Sequence, residues 1–91
     1  MDDDFRDNTT LHRYELTVDG HVAFVRYTRK PGVITFVHTE VPEALAGRGI
    51  GGKIARLVLD AARAEGIKVV PVCPFIAAWM KKHPEYDDLR A

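Results

Sequence analysis

The sequence has one cysteine, no excess of either charge and no long apolar run, and each shortage excludes a class of protein. Cys73 stands alone and cannot form an internal disulfide. The acidic start MDDDFRDN lacks the basic and then apolar segments of a secretory signal peptide, so we expect a protein of the reducing cytoplasm. No stretch approaches the roughly 20 apolar residues that span a bilayer, which predicts a soluble protein with no membrane partner.

Charge and length restrict the possible partners and the number of domains. Thirteen Lys and Arg balance thirteen Asp and Glu, so no chain-wide positive field attracts nucleic acid, and we expect no nucleic-acid partner. With 91 residues, 46% of them hydrophobic, the chain can bury one core but not two. We therefore expect a flexible acidic tail over residues 1–10 and a single domain over residues 11–91.

The hydrophobic pattern predicts the order of the elements. Alternation, interrupted by the turn pairs Asp19-Gly20 and Pro31-Gly32, predicts antiparallel strands, and a period near 3.6 follows Pro42. The predicted elements are strands at about Arg13–Val18, His21–Thr28 and Val33–Val41, a helix at Gly49–Glu65, a strand at Lys68–Cys73 and a helix at Phe75–His83. This β-β-β-α-β-α order predicts an α+β fold with a mixed sheet, because a strand-helix-strand crossover joins parallel strands.

The stretch LAGRGIGGKIARL, Leu45 to Leu57, fits three phosphate-binding patterns. Gly47, Gly52 and Lys53 fit the nucleoside-triphosphate loop. That loop next needs a Ser or Thr hydroxyl to bind Mg²⁺, and this chain has Ile54. The G-x-G-x-x-G spacing fits a dinucleotide loop, which follows the first strand of a βαβ unit and needs an acidic residue about 20 positions on. Here three antiparallel strands come first, and VCPF occupies the place of the acid.

The third pattern is carried by Ala46-Gly47-Arg48-Gly49-Ile50-Gly51, which resembles the pyrophosphate loop Gln/Arg-x-x-Gly-x-Gly/Ala of the GNAT superfamily, the acetyl-CoA-dependent N-acetyltransferases. Ala46 departs from the usual Gln or Arg. The resemblance covers about Leu11 to Leu89, because a HTEVP strand end, a VPVCPF strand and a HPEY ending follow the order of short stand-alone GNAT-like proteins.

This resemblance implies a minimal GNAT fold in which two parallel strands splay apart at the coenzyme A site. It also implies acetyl-CoA as cosubstrate, with no metal, its pyrophosphate held by uncapped N–H groups at the helix start. Pro71 supports the splay, because a proline has no N–H for a strand ladder. The candidate coenzyme A contacts are Val41, Ala46, Gly47, Arg48, Gly49, Ile50, Gly51, Gly52, Lys53, Cys73 and Phe75.

The third predicted strand supplies candidates for a catalytic base. Alternation places His38 and Glu40 on the face that carries Ile34 and Phe36, about 7 Å from each other. The resemblance implies direct attack of a neutral amine on the acetyl thioester, which requires removal of a proton from an alkyl ammonium. Histidine titrates nearest neutrality, so His38 is the first candidate and Glu40 the second. The alternatives are a structural histidine and a solvated carboxylate.

Cys73 precedes a predicted helix whose dipole favours a thiolate, and three roles stay open for it. It is a covalent acetyl carrier, a proton donor to the departing coenzyme A thiolate, or a buried inert thiol. Tyr86 is another candidate proton donor, although it lies past the second helix.

The resulting expectation is an acetyl-CoA-dependent N-acetyltransferase that acts on an unidentified amine. The short turns between the first strands leave no room for the extra helices of full-length GNAT domains, so we expect an open acceptor side and an amine exposed on a large substrate. The alternative is a non-catalytic acyl-CoA-binding regulatory module. We expect a monomer or a weak homodimer.

Overall fold

A computed structural model describes residues 4–91, and within them five strands form one mixed sheet. Neighbouring strands pair in chain order, antiparallel in the first three pairs and parallel in the last. The strands are β1 (Asp4–Asn8), β2 (Arg13–Val18), β3 (His21–Lys30), β4 (Val33–Glu40) and β5 (Lys68–Pro71). The helices are α1 (Ile50–Glu65) and α2 (Pro74–Lys81), with short 3-10 helices at Glu43–Leu45 and Pro84–Leu89. The predicted α+β fold and its parallel crossover are confirmed.

Strand β1 corrects the expectation of a flexible tail over residues 1–10. Its five residues pair antiparallel with β2. Phe5 stacks on Tyr14 with 5.4 Å between ring centroids, and Asp7 accepts a hydrogen bond from the Tyr27 hydroxyl. The strand forms because its partners lie on other strands, where composition alone does not reveal them. The first part of that expectation, Met1–Asp3, lies outside the described residues.

Both helices cover the same face of the sheet. Alternate side chains of β2, β3 and β4 share one hydrophobic core with α1 and α2. The largest fully buried side chains are those of Leu16, Val25, Ile34, Phe36, Leu45, Ile54, Val58, Leu59, Val69, Ile76 and Met80. None of the helices in residues 4–91 is long and apolar enough to cross a bilayer.

The other face of the sheet, here called the open face, is not covered by either helix. Glu15 lies there with only 5% of its surface exposed. It accepts hydrogen bonds from Arg13 at 2.7 Å, Asn8 at 3.0 Å and Arg6 at 3.1 Å. Burial raises the pKa of Glu15, but the three donors outweigh it and hold the pKa below its ordinary value. The Arg13 guanidinium also covers the Phe24 ring at 4.3 Å.

A β-bulge in β4 corrects the predicted face of His38 and Glu40. Tyr27 of β3 pairs with Phe36, and the adjacent Arg26 pairs with His38. Val37 is therefore left without a partner on β3. One extra residue reverses the alternation of side chains. Phe36 therefore faces the helices, whereas His38 and Glu40 lie on the open face.

Candidate functional site

The glycine loop, residues 46–52, leads from a 3-10 helix into α1. Gly47 and Gly49 have φ of 77° and 71°, a left-handed conformation that glycine adopts without strain. Gly49 is the N-cap of α1, and no side chain caps the helix there. The first N–H groups of a helix have no partner inside it, and only at Lys53 does an N–H bond back to the Gly49 carbonyl, at 3.1 Å. The N–H groups before Lys53, together with the helix dipole, suit an anion.

Gly51 and Gly52 have a packing role as well. A Cβ on Gly51 would lie 2.8 Å from Cζ of Phe75, and one on Gly52 would lie 3.4 Å from Nε1 of Trp79. These glycines therefore let α1 approach α2 closely. Phe75 remains 41% exposed and Val72 is 59% exposed, so apolar surface lies beside the loop.

Strands β4 and β5 part beside this loop, as predicted. Their last pair joins Phe36 to Pro71, whereas β4 continues to Glu40. The Cys73 N–H donates to the Phe36 carbonyl at 2.8 Å, after which the chain enters α2. Pro71, which has no N–H to donate, thus stands where the ladder ends. The gap leaves one edge of β4 without a strand partner over residues 37–40.

Cys73 lies in this gap and is the N-cap residue of α2. Only 4% of its surface is exposed, and its Sγ is 3.2 Å from Oγ1 of Thr39. The bulge at Val37 turns Thr39 toward the helices and so creates this contact. A thiol and a hydroxyl therefore lie between the diverging strands.

His38 and Glu40 form a pair on the open face of the same stretch of β4. Nε2 of His38 is 3.2 Å from Oε1 of Glu40, and their side chains are 50% and 62% exposed. The Phe24 ring lies 6.1 Å from the imidazole, centroid to centroid. If Nε2 donates to Glu40, Nδ1 is the nitrogen left to accept a proton. The arrangement can hold an imidazole in one tautomer.

The remaining candidate contacts lie around the glycine loop. Val41 follows β4 and packs against the core, and Ala46 ends the 3-10 helix. The Arg48 guanidinium donates to Asp19 at 2.8 Å, which joins the loop to the β2–β3 turn. The structure thus brings the loop, Phe75, Val41 and Cys73 to one end of the sheet. Within residues 4–91, no three His, Cys, Asp or Glu side chains are grouped as a metal site requires.

A family model described as GCN5-related N-acetyl-transferase matches residues 13–89. The chain belongs to the GCN5-related N-acetyltransferase family. The matched region includes β2 to β5, both helices, the glycine loop and Cys73. The resemblance inferred from the loop and its flanking motifs is therefore confirmed at the level of the family.

Relatives of this family member carry the name Protein NATD1. The Homo sapiens protein is 36% identical over 52 residues, which are 57% of this chain and 46% of its own length. The Danio rerio protein is 34% identical over 70 residues, covering 75% of this chain and 63% of its own. The chain spans about half the length of the curated relatives it matches. The solution structure of a GCN5-like protein from Staphylococcus aureus shares the fold, with a TM-score of 0.74, 23% identity and coverage of 97% of this chain and 87% of that one.

The hydroxyl of Tyr86, a candidate proton donor from the sequence, is already bonded to two other side chains. Its hydroxyl donates to Asp60 at 2.7 Å and accepts from Arg56 at 3.3 Å, both on α1. Burial raises the pKa of Tyr86, and the Asp60 carboxylate raises it further. Tyr86 therefore anchors the C-terminal 3-10 helix to α1.

Sequence reasoning missed Thr39 as a site residue because strict alternation placed it away from Ile34 and Phe36. A signal for the bulge was nevertheless present. The apolar positions change phase, from Ile34 and Phe36 to Val37 and Val41. A phase change of this kind within one strand is typical of an extra residue. The sequence also gave no sign that Arg48 would meet Asp19.

Proposed function

We propose that this member of the family transfers an acetyl group from acetyl-CoA to an amine by direct attack. One observation carries the proposal: the uncapped start of α1, with its two left-handed glycines, lies beside the point where β4 and β5 diverge. An anion-binding helix start next to unpaired strand edges suits a ligand that has a pyrophosphate at one end and an amide-containing arm at the other. Family membership supports the same assignment.

The chain's own residues fit the two parts of such a ligand. The N–H groups of residues 49–52 hold the pyrophosphate, because the Arg48 N–H already donates to the Leu45 carbonyl at 3.3 Å. Val41, Val72 and Phe75 supply apolar contacts at the mouth of the gap. Cys73 and Thr39 line the gap itself. Ala46 offers neither a polar side chain nor a free N–H group, because its N–H donates to the Glu43 carbonyl at 3.0 Å.

The chemistry requires a neutral amine. In the proposed step the amine nitrogen forms a bond to the acetyl carbonyl carbon, the carbon–sulfur bond breaks, and coenzyme A leaves as a thiolate. His38 accepts the proton that the ammonium must lose, through Nδ1, while Glu40 stabilises the resulting imidazolium. The thiolate takes a proton from Cys73, and the second proton that the nitrogen loses as the amide forms restores the Cys73 thiol. His38 then releases its own proton to water. Direct attack needs no acetylated enzyme, so Cys73 has no covalent role in this proposal.

The binding half of the proposal is tested with two glycines of the same helix. Gly49 and Gly66 both have φ of 71°, and a Cβ on either would meet nothing within 4 Å. Gly49→Ala and Gly66→Ala should therefore cost similar stability, about 1 kcal/mol each. By calorimetric titration, acetyl-CoA affinity should fall roughly tenfold or more in Gly49→Ala alone, because only that change alters the anion-binding N–H groups. Equal affinities in the two variants would remove the loop from the site.

A non-catalytic acyl-CoA-binding module remains the second candidate, and the open face favours it because no element there walls the acceptor. Turnover separates the two functions. Release of free coenzyme A thiol should depend on added amine, and mass spectrometry should find the acetylated amine and no acetylated Cys73. Tight acetyl-CoA binding with no amine-dependent release would identify the module instead.

A further inference from the structure

The open face holds an arginine that differs from all others in the described chain. Seven of its eight arginines form a hydrogen bond or ion pair with a carboxylate or with Tyr86. Arg26 is exposed and, within residues 4–91, is the one arginine with no such partner. Arg26 therefore has a full charge and five N–H donors to offer to a ligand.

The neighbours of Arg26 do not neutralise its charge. Arg26 lies directly opposite Arg13 on one side and opposite His38 on the other. Like charges directly opposite each other destabilise a sheet. The nearest carboxylates do not relieve the charge, because Glu15 is bonded to three other side chains and Glu40 is paired with His38. In the row Arg13, Arg26, His38, Arg26 is thus the residue whose charge is not paired within residues 4–91, and it lies directly beside the proposed catalytic base.

A cavity lies at the same arginine. It has a volume of about 450 Å³, and its walls include Leu11, His12, Arg26 and Thr28. Leu11 is 52% exposed and gives the cavity an apolar wall. None of its lining residues belongs to β4, so the cavity lies on the side of Arg26 away from His38 and can hold only the part of a molecule that extends beyond the group bound by Arg26.

We propose that the acceptor is an amine that carries an oxyanion, a carboxylate or a phosphate, which Arg26 binds while His38 faces the amine. This inference rests on the proposed acetyl transfer. Side chains directly opposite in antiparallel strands have Cβ atoms about 5 Å apart, so the imidazole and the guanidinium can reach two groups of one small molecule. The guanidinium fork suits either oxyanion through two parallel hydrogen bonds. In such an acceptor, the amine and the oxyanion are separated by a few bonds.

The test compares matched amines that differ in the oxyanion. β-Alanine is paired with propylamine, and O-phosphoethanolamine with ethanolamine. In the parent protein, kcat/KM should favour the anionic member of at least one pair by about tenfold or more, and the pair that responds identifies carboxylate or phosphate. In Arg26→Gln this ratio should fall toward one. Arg26→Glu should reverse the preference toward a diamine.

Arg90→Gln is the control, because Arg90 is also exposed and its side chain has one weak pair, 4.0 Å from Asp87. It should keep the parent ratio. A parent ratio near one in both pairs overturns the inference, and so does a ratio that Arg26→Gln leaves unchanged.

Amide chemical shifts separate this inference from the proposed function. β-Alanine or O-phosphoethanolamine should shift the backbone amides of Arg26 and His38 in the parent and not in Arg26→Gln, whether or not transfer occurs. Shifts without turnover of any amine would contradict acetyl transfer and keep the anion site. Turnover without a preference and without shifts would keep the transfer and contradict the anion site.

Discussion

The two ends of α1 have glycines of the same conformation in opposite surroundings. At the C-terminal end, the Gly66 N–H donates to the carbonyls of Ala62 and Arg63, and the Ile67 N–H also donates to Ala62, at 3.1 Å. This pattern closes the helix and satisfies its last carbonyls. At the N-terminal end, Gly49 is the N-cap residue and has the same φ of 71°, yet no side chain caps the first turn.

Side-chain hydrogen bonds also differ between the two ends of α1. Arg29 donates to both oxygens of Glu65, at 3.0 and 3.1 Å, and Tyr14 contacts the same carboxylate, so β2 and β3 are tied to the last turn of α1. The first turn begins at a glycine, where a capping Ser, Thr, Asp or Asn would accept a hydrogen bond from one of the first N–H groups. The helix is therefore held firmly at the end away from the proposed site and keeps N–H donors unused at the end beside it.

The largest expected effect is on turnover, at the site end. His38→Ala should lower kcat by roughly 10² to 10⁴, because the amine then loses its base, with little change in acetyl-CoA affinity. Stability should change little, since the imidazole is half exposed and lies against Glu40 and Phe24 at the surface of the sheet. The measurement is the pH–rate profile of kcat together with thermal unfolding.

His21→Ala is the matched control, because His21 is an exposed histidine at the start of β3. It should keep the parent rate and profile. A normal rate in His38→Ala with an unmoved profile would return His38 to a structural role and make Glu40→Gln the next variant.

A smaller effect is expected on stability, at the anchored end. The hydrogen bonds from Arg29 lower the pKa of Glu65, although partial burial opposes them. A lowered pKa in the folded state means that the pair stabilises the protein fully above pH 4.5 and loses this effect as pH falls through the folded-state value. Glu65→Gln should therefore lower the free energy of unfolding at pH 7 by about 1 kcal/mol, a value limited by solvent screening at this half-exposed pair.

Urea unfolding at several pH values checks this prediction. The gap between Glu65→Gln and the parent should close below pH 4.5, and the turnover of folded protein should be unchanged. Glu43→Gln removes an exposed carboxylate from the 3-10 helix before the glycine loop and should show no such pH-dependent gap. A constant gap at all pH values would mean that packing of the side chain, and not its charge, anchors the helix.

Features governed by local sequence were predictable, and the end of α1 is the clearest case. Gly66 follows an amphipathic run, and a glycine there predicts a left-handed helix end. The Asp19-Gly20 turn was predictable for the same reason, and both residues have positive φ, 51° and 79°. Pro71 indicated the end of the β4–β5 ladder because its missing N–H is a property of the residue itself.

Features that depend on a partner strand were not predictable from local pattern. Strand β1 exists because β2 presents Tyr14 and Glu15 to it, and its own five residues carry a single aromatic. The bulge at Val37 depends on how β3 pairs with β4, and it decides that Thr39 rather than His38 meets Cys73. Because the bulge was not predicted, Thr39 and His38 were each expected on the wrong face of the sheet, although the predicted fold was correct.

The smallest expected effect is on the free energy of unfolding when Arg26, on the open face, is replaced. If Arg26 is kept for a ligand, it should cost stability in the free protein, because it lies opposite Arg13 and has no ion pair within residues 4–91. Arg26→Gln should therefore raise the free energy of unfolding by about 0.2 to 1 kcal/mol at low salt. The gain should shrink in high salt, because ions screen the repulsion between the two guanidinium groups. Arg90→Gln, measured beside it, should show no gain. Urea unfolding at two salt concentrations decides the matter: a loss of stability in Arg26→Gln would mean that Arg26 stabilises the sheet as it stands, and that its open charge is no sign of a ligand.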